Sequence, residues 1–121
     1  MTAEQVIHNF WSGFGLTAYD ENCVPDTAQL PYITYSLSYD VFGNQVSMVA
    51  NIWYSSTSWV TITNKFHEIS EYLGLEGIIR TTDNGYLWLK RGSPFGQRMG
   101  DSENNIKRMF INITAEYFQT E

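Results

Sequence analysis

The sequence lacks several features that mark particular classes of protein. It contains one cysteine, Cys23, so no intrachain disulfide can form. No apolar run approaches the roughly 18 residues that a membrane span needs. The N-terminus has no basic segment followed by an apolar block, so we expect no signal peptide. These absences favour a protein that folds or assembles in a reducing compartment without contacting a membrane.

Positive charge is missing from the first half of the chain. Residues 1–64 contain five acidic residues and no Lys or Arg, which gives −5, whereas residues 65–121 hold seven basic and eight acidic residues, which gives −1. The total of −6 argues against a protein that grips nucleic acid by its phosphates. The asymmetry is either compositional variation in a small domain or a sign that different faces of one molecule meet each other.

The clearest pattern of the chain lies at residues 56–74. Ser56 and Ser58 are candidate N-caps, and Gly74 stands where a helix C-terminus favours glycine. Between them, large apolar side chains recur at spacings of three and four, which places them on one stripe of an α-helix. These side chains are Trp59, Ile62, Phe66, Ile69 and Leu73. Because strand-like segments lie on both sides of this helix in sequence, we expect its apolar stripe to pack on a sheet.

The remaining elements complete an α+β pattern. Thr2-x-x-Gln5 resembles a capping box and opens a first helix that Gly15 ends. Residues 16–30 show no period and are predicted to be a connecting loop. Asn84-Gly85 between strand-like runs predicts a hairpin. The predicted strands are residues 32–39, 45–54, 77–82, 86–91 and 106–118, with a long irregular loop at residues 92–102.

The predicted fold is therefore a single α+β domain over residues 1–121. It has a largely antiparallel sheet with two helices packed on one face, in the order α-β-β-α-β-β-β.

Residues with catalytic potential are few. His8 and His67 have no Cys or carboxylate cluster beside them at metal-ligand spacing. Cys23 follows Asp20 and Glu21, whose charges disfavour a thiolate rather than activate it. The sequence nominates no nucleophile or base, so we predict a protein that is not an enzyme and carries no metal or cofactor.

Contact residues are more evident than catalytic ones. Aromatic residues make up 16% of the chain, which fits core packing plus a Tyr- and Trp-rich contact surface. Stacking on bases is another use of such residues, but the sequence indicates no basic groove to accompany it. The predicted loop carries Pro94, Phe95, Arg98 and Met99, residue types that are favoured at interface anchors. The alternative is an ordinary surface loop.

Several stretches together resemble one family. They are LPYITY at residues 30–35, NIWYSS at 51–56, the helix at 56–74, GIIR at 77–80 with its hairpin, RGSPFGQRMGD at 91–101 and IKRMFIN at 106–112. In this order they resemble the tail terminator proteins of long-tailed bacteriophages and related prophage or phage-tail-like particles. The resemblance covers nearly the whole chain.

The resemblance implies a structural role in a virion tail or neck that is assembled in the cytoplasm of a host bacterium. Subunits would form a hexameric ring that caps the tail tube, stops its polymerisation and docks to the head-tail connector. DNA would pass through an acidic lumen without specific binding. The implied partners are further copies of the chain, the tail tube protein and the connector protein.

A cyclic ring repeats one heterologous contact, so one patch of each subunit must complement a different patch of the next. We hypothesise that basic groups of one subunit meet acidic groups of its neighbour, while Phe95 and Met99 insert as apolar anchors. The basic candidates are Arg80, Arg91, Arg98 and Arg108, and the acidic candidates are Asp20, Glu21 and Asp40.

Three other classes of function compete with this interpretation. One is a different neck component, such as a head-completion or adaptor protein. Another is a small α+β domain that binds a ligand through its aromatic-rich sheet. An enzyme comes last. The mass in solution separates a ring from a binding module, and the partner separates a terminator from other neck proteins.

Overall fold

The computed structural model describes residues 1–39, 41, 43–99 and 105–119, and every structural statement below concerns these residues. Two helices and six strands lie within them. In chain order they are α1 (Ala3–Ser12), β1 (Thr17–Asp20), β2 (Tyr32–Tyr35), β3 (Gln45–Ser55), α2 (Val60–Leu73), β4 (Ile78–Thr82), β5 (Gly85–Met99) and β6 (Ile106–Gln119).

The strands form one sheet in the order β1-β2-β3-β6-β5-β4. β1 runs parallel to β2, whereas each of the other neighbouring pairs is antiparallel. The predicted α+β class is confirmed. The predicted order was wrong by one strand, and the predicted largely antiparallel character is matched in part, because the β1–β2 pair makes the sheet mixed.

The missing strand is β1, which lies in the stretch predicted as a loop. Its Ala18 is buried and stands opposite Ile33 of β2. Its residues, Thr-Ala-Tyr-Asp, do not alternate strictly between polar and apolar, so the strand pattern is absent from the local sequence. The strand exists because β2 offers a free edge to pair with, and that is a tertiary cause.

Helix α1 begins as predicted. The Thr2 hydroxyl accepts from the Gln5 backbone N–H, and the Gln5 side chain accepts from the Thr2 backbone N–H, so the capping box is confirmed. The helix ends at Ser12, where the Gly13 N–H donates to the Phe10 carbonyl at 3.2 Å. The predicted end at Gly15 was therefore wrong.

Helix α2 begins at Val60 rather than at Ser56. The two serines form a turn before it, since Ser58 N–H donates to Ser56 Oγ at 3.1 Å and Val60 N–H donates to Ser58 Oγ at 3.2 Å. Trp59 occupies the N-cap position without a side-chain capping bond. At the other end Gly74, with φ +64°, ends the helix as predicted.

The hairpin predicted around Asn84-Gly85 is confirmed, because Thr82 pairs with Gly85 across the β4–β5 turn. The loop predicted at residues 92–102 is wrong as far as Met99, since β5 continues to that residue. The register against β6 shifts between Arg91 and Gly96, which marks a β-bulge. β6 is long enough to pair with β5 on both sides of this bulge. The glycine and proline residues near the bulge favour a loop in the local sequence, so the sequence does not indicate that β5 continues. Residues 100–104 lie outside the described part.

Strand β2 ends at Tyr35, short of the predicted residue 39, although Ser36 N–H still donates to the Val49 carbonyl at 2.8 Å. The predicted pairing of β2 with β3 is confirmed. The main partner of β3 is β6, which pairs with it along its whole length.

The core lies on one face of the sheet, where both helices pack. α2 covers β3, β5 and β6 near the middle, and α1 packs against β1 and β4, the two edge strands. One helix can touch both edges only if the sheet curls around it. The largest fully buried side chains are Trp11, Ile7, Ile33, Met48, Ile52, Ile62, Ile69, Leu73, Leu87, Leu89, Ile111 and Ile113.

Candidate assembly interface

The second face of the sheet is covered by neither helix, and we call it the open face. Strand alternation places there the side chains that stand between the core residues of each strand. Many of them are aromatic and half-buried or exposed rather than buried. They are Tyr19, Tyr32, Trp53, Tyr86, Trp88, Phe110 and Phe118.

The aromatic side chains gather at two opposite corners of the open face. At one corner Tyr32 contacts Tyr19 edge-on, with 5.6 Å between ring centroids, and Trp53 at 6.4 Å. At the other corner Tyr86 stacks on Phe118 at 4.7 Å. The two corners lie on different strands and at different ends of those strands. Two distinct aromatic patches on one subunit suit a heterologous contact better than a self-complementary one.

Basic side chains gather where β3 and β5 finish and β6 begins. On the open face, the Arg108 guanidinium lies 5.1 Å from the Trp53 ring centroid. On the helix side, the Arg98 guanidinium and the Lys107 ammonium lie 5.0 and 5.6 Å from the Trp59 ring centroid. We call these five residues the basic tryptophan patch. Cation–π contacts hold the charged groups in place at this end of the sheet.

Acidic side chains gather at the β1 edge of the sheet, on elements other than those that carry the basic tryptophan patch. Asp20 ends β1, where its carboxylate accepts from the Asn22 backbone N–H at 2.9 Å, and Glu21 follows it in an exposed position. Glu4 of α1 and Asp20 line one cleft of about 570 Å³. We call Glu4, Asp20 and Glu21 the acidic edge. Asp40, the third predicted acidic candidate, lies outside the described residues.

The carboxylate of Glu4 has a defined partner. The Tyr39 hydroxyl donates to it at 2.6 Å, and this bond is the main cause that holds the pKa of Glu4 below its ordinary value. Partial desolvation of the Tyr39 hydroxyl, followed by its hydrogen bond to the Glu4 carboxylate, raises the pKa of Tyr39 to about 12. Glu4 is therefore charged and Tyr39 neutral across the physiological range, which keeps the acidic edge negative.

Two of the predicted interface arginines are held by their own subunit. Arg91 Nε donates to the Gly74 carbonyl at 3.0 Å. The Arg80 guanidinium lies 5.7 Å from the Tyr72 ring centroid and also donates to the Tyr72 hydroxyl. These contacts could not be predicted from the sequence, because each joins β4 or β5 to the end of α2 and depends on how the helix packs.

Of the predicted loop residues at the interface, one makes mainly internal contacts and two keep accessible surface. Phe95 contacts Phe66 of α2, with 5.1 Å between ring centroids, and is partly buried against the core. Met99 is half-buried opposite Arg108, whereas Pro94 is exposed. Met99 and Pro94 therefore keep surface that a neighbour can reach, and most of the Phe95 contact is internal.

Three polar atoms on the open face are buried without a hydrogen-bond partner in the described part: Asn51 Oδ1, Asn112 Oδ1 and Arg108 Nε. Asn51 stands opposite Phe110 and Asn112 opposite Val49, so the two amides are diagonal neighbours in the middle of the face. Buried polar groups are satisfied in most folded proteins. Sequence reasoning missed these residues, because an Asn inside a strand has no signal of its own.

Two clefts lie beside α1. The larger is the one beside the acidic edge, where His8 Nδ1 and the Tyr35 hydroxyl are 2.9 Å apart. The smaller, of about 260 Å³, lies between α1, the end of α2 and β4, and we call it the α1–β4 cleft. Within the described residues, no three His, Cys, Asp or Glu side chains are grouped to hold a metal ion. Cys23 is exposed.

The comparisons with known proteins concern the fold. No protein-family model matches the chain, and a search of curated proteins found no similar sequence. One solved structure that is similar is a chain from the virion of a native gene transfer agent particle, with a TM-score of 0.55 and 16% sequence identity. The match covers 94% of this chain and 85% of that one. The chain therefore shares its fold with a protein of that virion. No helix in the described part is long and apolar enough to cross a membrane.

Proposed function

We propose that this protein is a structural subunit of a phage-like virion, and specifically a tail terminator. Its subunits form a hexameric ring that caps the tail tube, stops its growth and offers a docking face to the head-tail connector. The observation that carries the proposal is the separation of the basic tryptophan patch from the acidic edge, in a fold shared with a gene transfer agent virion protein.

A closed ring requires two complementary patches on different sides of each subunit. The patch lies at the β3–β5–β6 end and the acidic edge lies across β1 and α1. Because the patch charges are held over Trp53 and Trp59, little side-chain entropy is lost when carboxylates of a neighbour meet them. The open face, with its half-buried aromatic side chains, extends the contact into a surface rich in the residue types of interfaces.

The chemistry of the chain is consistent with a structural role. Within the described residues, Lys65 and Lys90 form ion pairs with Glu68 and Glu116 of the same subunit, and the proposal assigns the chain no reaction, cofactor or metal. DNA crosses the ring through a lumen lined by acidic groups, which repel phosphates.

Another neck component is the second candidate, because the shared fold is observed for a virion protein without reference to its position in the particle. The test is an assembly experiment with the tail tube protein. A terminator stops tube growth at substoichiometric amounts and binds one tube end, as seen by electron microscopy. An adaptor or head-completion protein leaves tube length unchanged and binds the portal or connector instead.

The mass in solution provides an earlier test. Light scattering coupled to size exclusion, over a range of concentrations and with the tube present, should reveal a hexamer. A protein that stays monomeric even with the tube protein would contradict the ring.

A further inference from the structure

Leu75 is the most exposed large apolar side chain of the described residues, with 95% of its surface accessible. It stands in the turn that joins α2 to β4, between Gly74 and Gly77, and the acidic residue Glu76 follows it. A single exposed leucine is ordinary. This one differs because the turn that presents it is held in place.

Two side chains of β5 hold the turn by its backbone. Arg91 Nε donates to the Gly74 carbonyl at 3.0 Å, and Trp88 Nε1 donates to the Glu76 carbonyl at 2.7 Å. The bonds fall on the two residues that flank Leu75. Because this backbone is already ordered, binding through Leu75 costs little conformational entropy, which is the property of an interface anchor.

The glycines of the turn support the same conclusion. Both adopt left-handed φ values, +64° at Gly74 and +77° at Gly77. At Gly77 a side chain would also collide with the backbone of Leu89. The turn therefore has a defined shape that carries Leu75 outward.

The α1–β4 cleft provides a matching cavity. Its walls include Val6, Phe10, Phe14 and Tyr72, and Arg80 lies at its β4 side. Its volume of about 260 Å³ is below the range of roughly 300–1,000 Å³ that is typical of small-molecule sites, so the cleft suits one apolar side chain better than a ligand.

The cleft and the turn are complementary in charge as well as in polarity. The turn presents Leu75 followed by the Glu76 carboxylate, and the cleft presents an aromatic wall beside the Arg80 guanidinium. Leu75 does not fill the cleft of its own subunit, since it is almost fully exposed.

We propose that the occupant of the cleft is Leu75 of a second copy of this chain, with Glu76 of that copy at Arg80. Leu75 is three residues from Tyr72, so their Cα atoms are at most about 11 Å apart. Because the turn and the cleft are adjacent on one subunit, a dimer with two-fold symmetry can form both contacts at once. Each Leu75 then lies in the cleft of the other copy. This contact is separate from the ring contact and does not depend on it.

The first test uses sedimentation over a range of concentrations to compare the unchanged protein with Leu75→Asp. The quantity compared is the limiting mass, which is the mass that each protein reaches at high concentration. The unchanged protein should reach twice the mass of Leu75→Asp, whether the unit that doubles is a monomer or a ring. Val60→Asp is the matched control, because Val60 is also exposed and lies at the other end of α2. Equal limiting masses for Leu75→Asp and the unchanged protein would overturn the proposal.

The second test exchanges the charges. Glu76→Arg and Arg80→Glu should each weaken the doubling at least tenfold, and the double variant E76R/R80E should restore it. A double variant weaker than either single one would overturn the proposal. If the unchanged protein doubles through Leu75 but never forms a six-fold species, the ring proposal fails and this one stands.

Discussion

The guanidinium of Arg108 lies over the indole ring of Trp53, directly opposite it across the β3–β6 register. A cation held against an aromatic face contributes roughly 0.5 to 2 kcal/mol, according to how far it is desolvated. Arg98 and Lys107 make the same kind of contact with Trp59 on the helix side. Two tryptophans therefore fix three positive charges at one end of the sheet.

Reversing two of these charges should separate folding from assembly. We expect Arg98→Glu with Arg108→Glu to leave a folded monomer, because Arg98 is exposed, Arg108 is half-buried at the end of the open face, and both belong to the proposed ring contact. The matched control, Arg98→Lys with Arg108→Lys, keeps the charge and should still assemble. Light scattering measures the mass and circular dichroism the fold. A double Glu variant with the mass of the unchanged protein would show that the patch is not the ring contact.

The β5 bulge should tolerate no side chain at Gly96. A Cβ there would collide with the Phe66 ring of α2. We expect Gly96→Ala to lower the free energy of unfolding by about 1 to 3 kcal/mol, the usual cost of overpacking. Urea unfolding measures the change.

Two further variants sharpen the Gly96 experiment. Gly13→Ala is the control, since Gly13 has φ −79° and no atom nearer than 3.4 Å to an added Cβ. Phe66→Leu in the Gly96→Ala background should recover part of the loss, because the two sites contact each other and their effects are not additive. Equal stability of Gly96→Ala and Gly13→Ala would contradict the described approach of the strand to α2.

The capping box of α1 should be measurable on its own. Thr2→Ala removes the acceptor of the Gln5 N–H and should cost about 1 kcal/mol of stability. Thr2→Ser keeps the hydroxyl and should cost much less. Thermal unfolding of the two variants side by side checks this, and equal melting temperatures would mean that the cap contributes nothing.

The Glu116 carboxylate should make stability depend on pH in the acidic range. Hydrogen bonds from Lys90 at 2.9 Å and from Gln45 hold the pKa of Glu116 below its ordinary value. A lowered folded pKa means that the stabilisation is present above the unfolded pKa, about 4.3, and is lost as the pH falls through the folded pKa. Glu116→Gln should therefore have a lower melting temperature than the unchanged protein at pH 7. The difference in melting temperature should decrease towards pH 3.

The exposed Glu71 provides the matched control for that titration. Glu71→Gln removes an exposed carboxylate on the solvent side of α2, and its melting temperature is measured over the same pH range. If the difference in melting temperature for Glu116→Gln did not change with pH, the carboxylate would contribute no charge-dependent stabilisation at this site.

Local patterns were sufficient for the elements whose cause is local. The capping box at Thr2, the Gly74 end of α2 and the turn before Gly85 follow from neighbouring residues, and each is found as predicted. β1 and the second half of β5 have no local cause. They form because β2 and β6 offer pairing partners, which a reading along the chain does not reveal.

The candidate interface shows the same division. The acidic first half, and the mixed second half that holds all seven basic residues, were visible in the sequence. The basic tryptophan patch was not visible in the sequence. It depends on the β3–β6–β5 register, which brings Arg98, Lys107 and Arg108 to Trp53 and Trp59. The internal contacts of Arg80 and Arg91 also depend on packing, because both reach the end of α2.

The position of α1 against both edge strands has a consequence for assembly. Because α1 contacts both β1 and β4, we expect the curvature of the subunit to depend on how far this helix holds the two strands apart, and therefore on buried side chains such as Trp11. In a closed ring a small error in that curvature recurs at every subunit and accumulates around the circle. In the proposed ring, the number of subunits would then be selected in the interior of the monomer, and a core substitution in α1 would change it without altering any contact between neighbours.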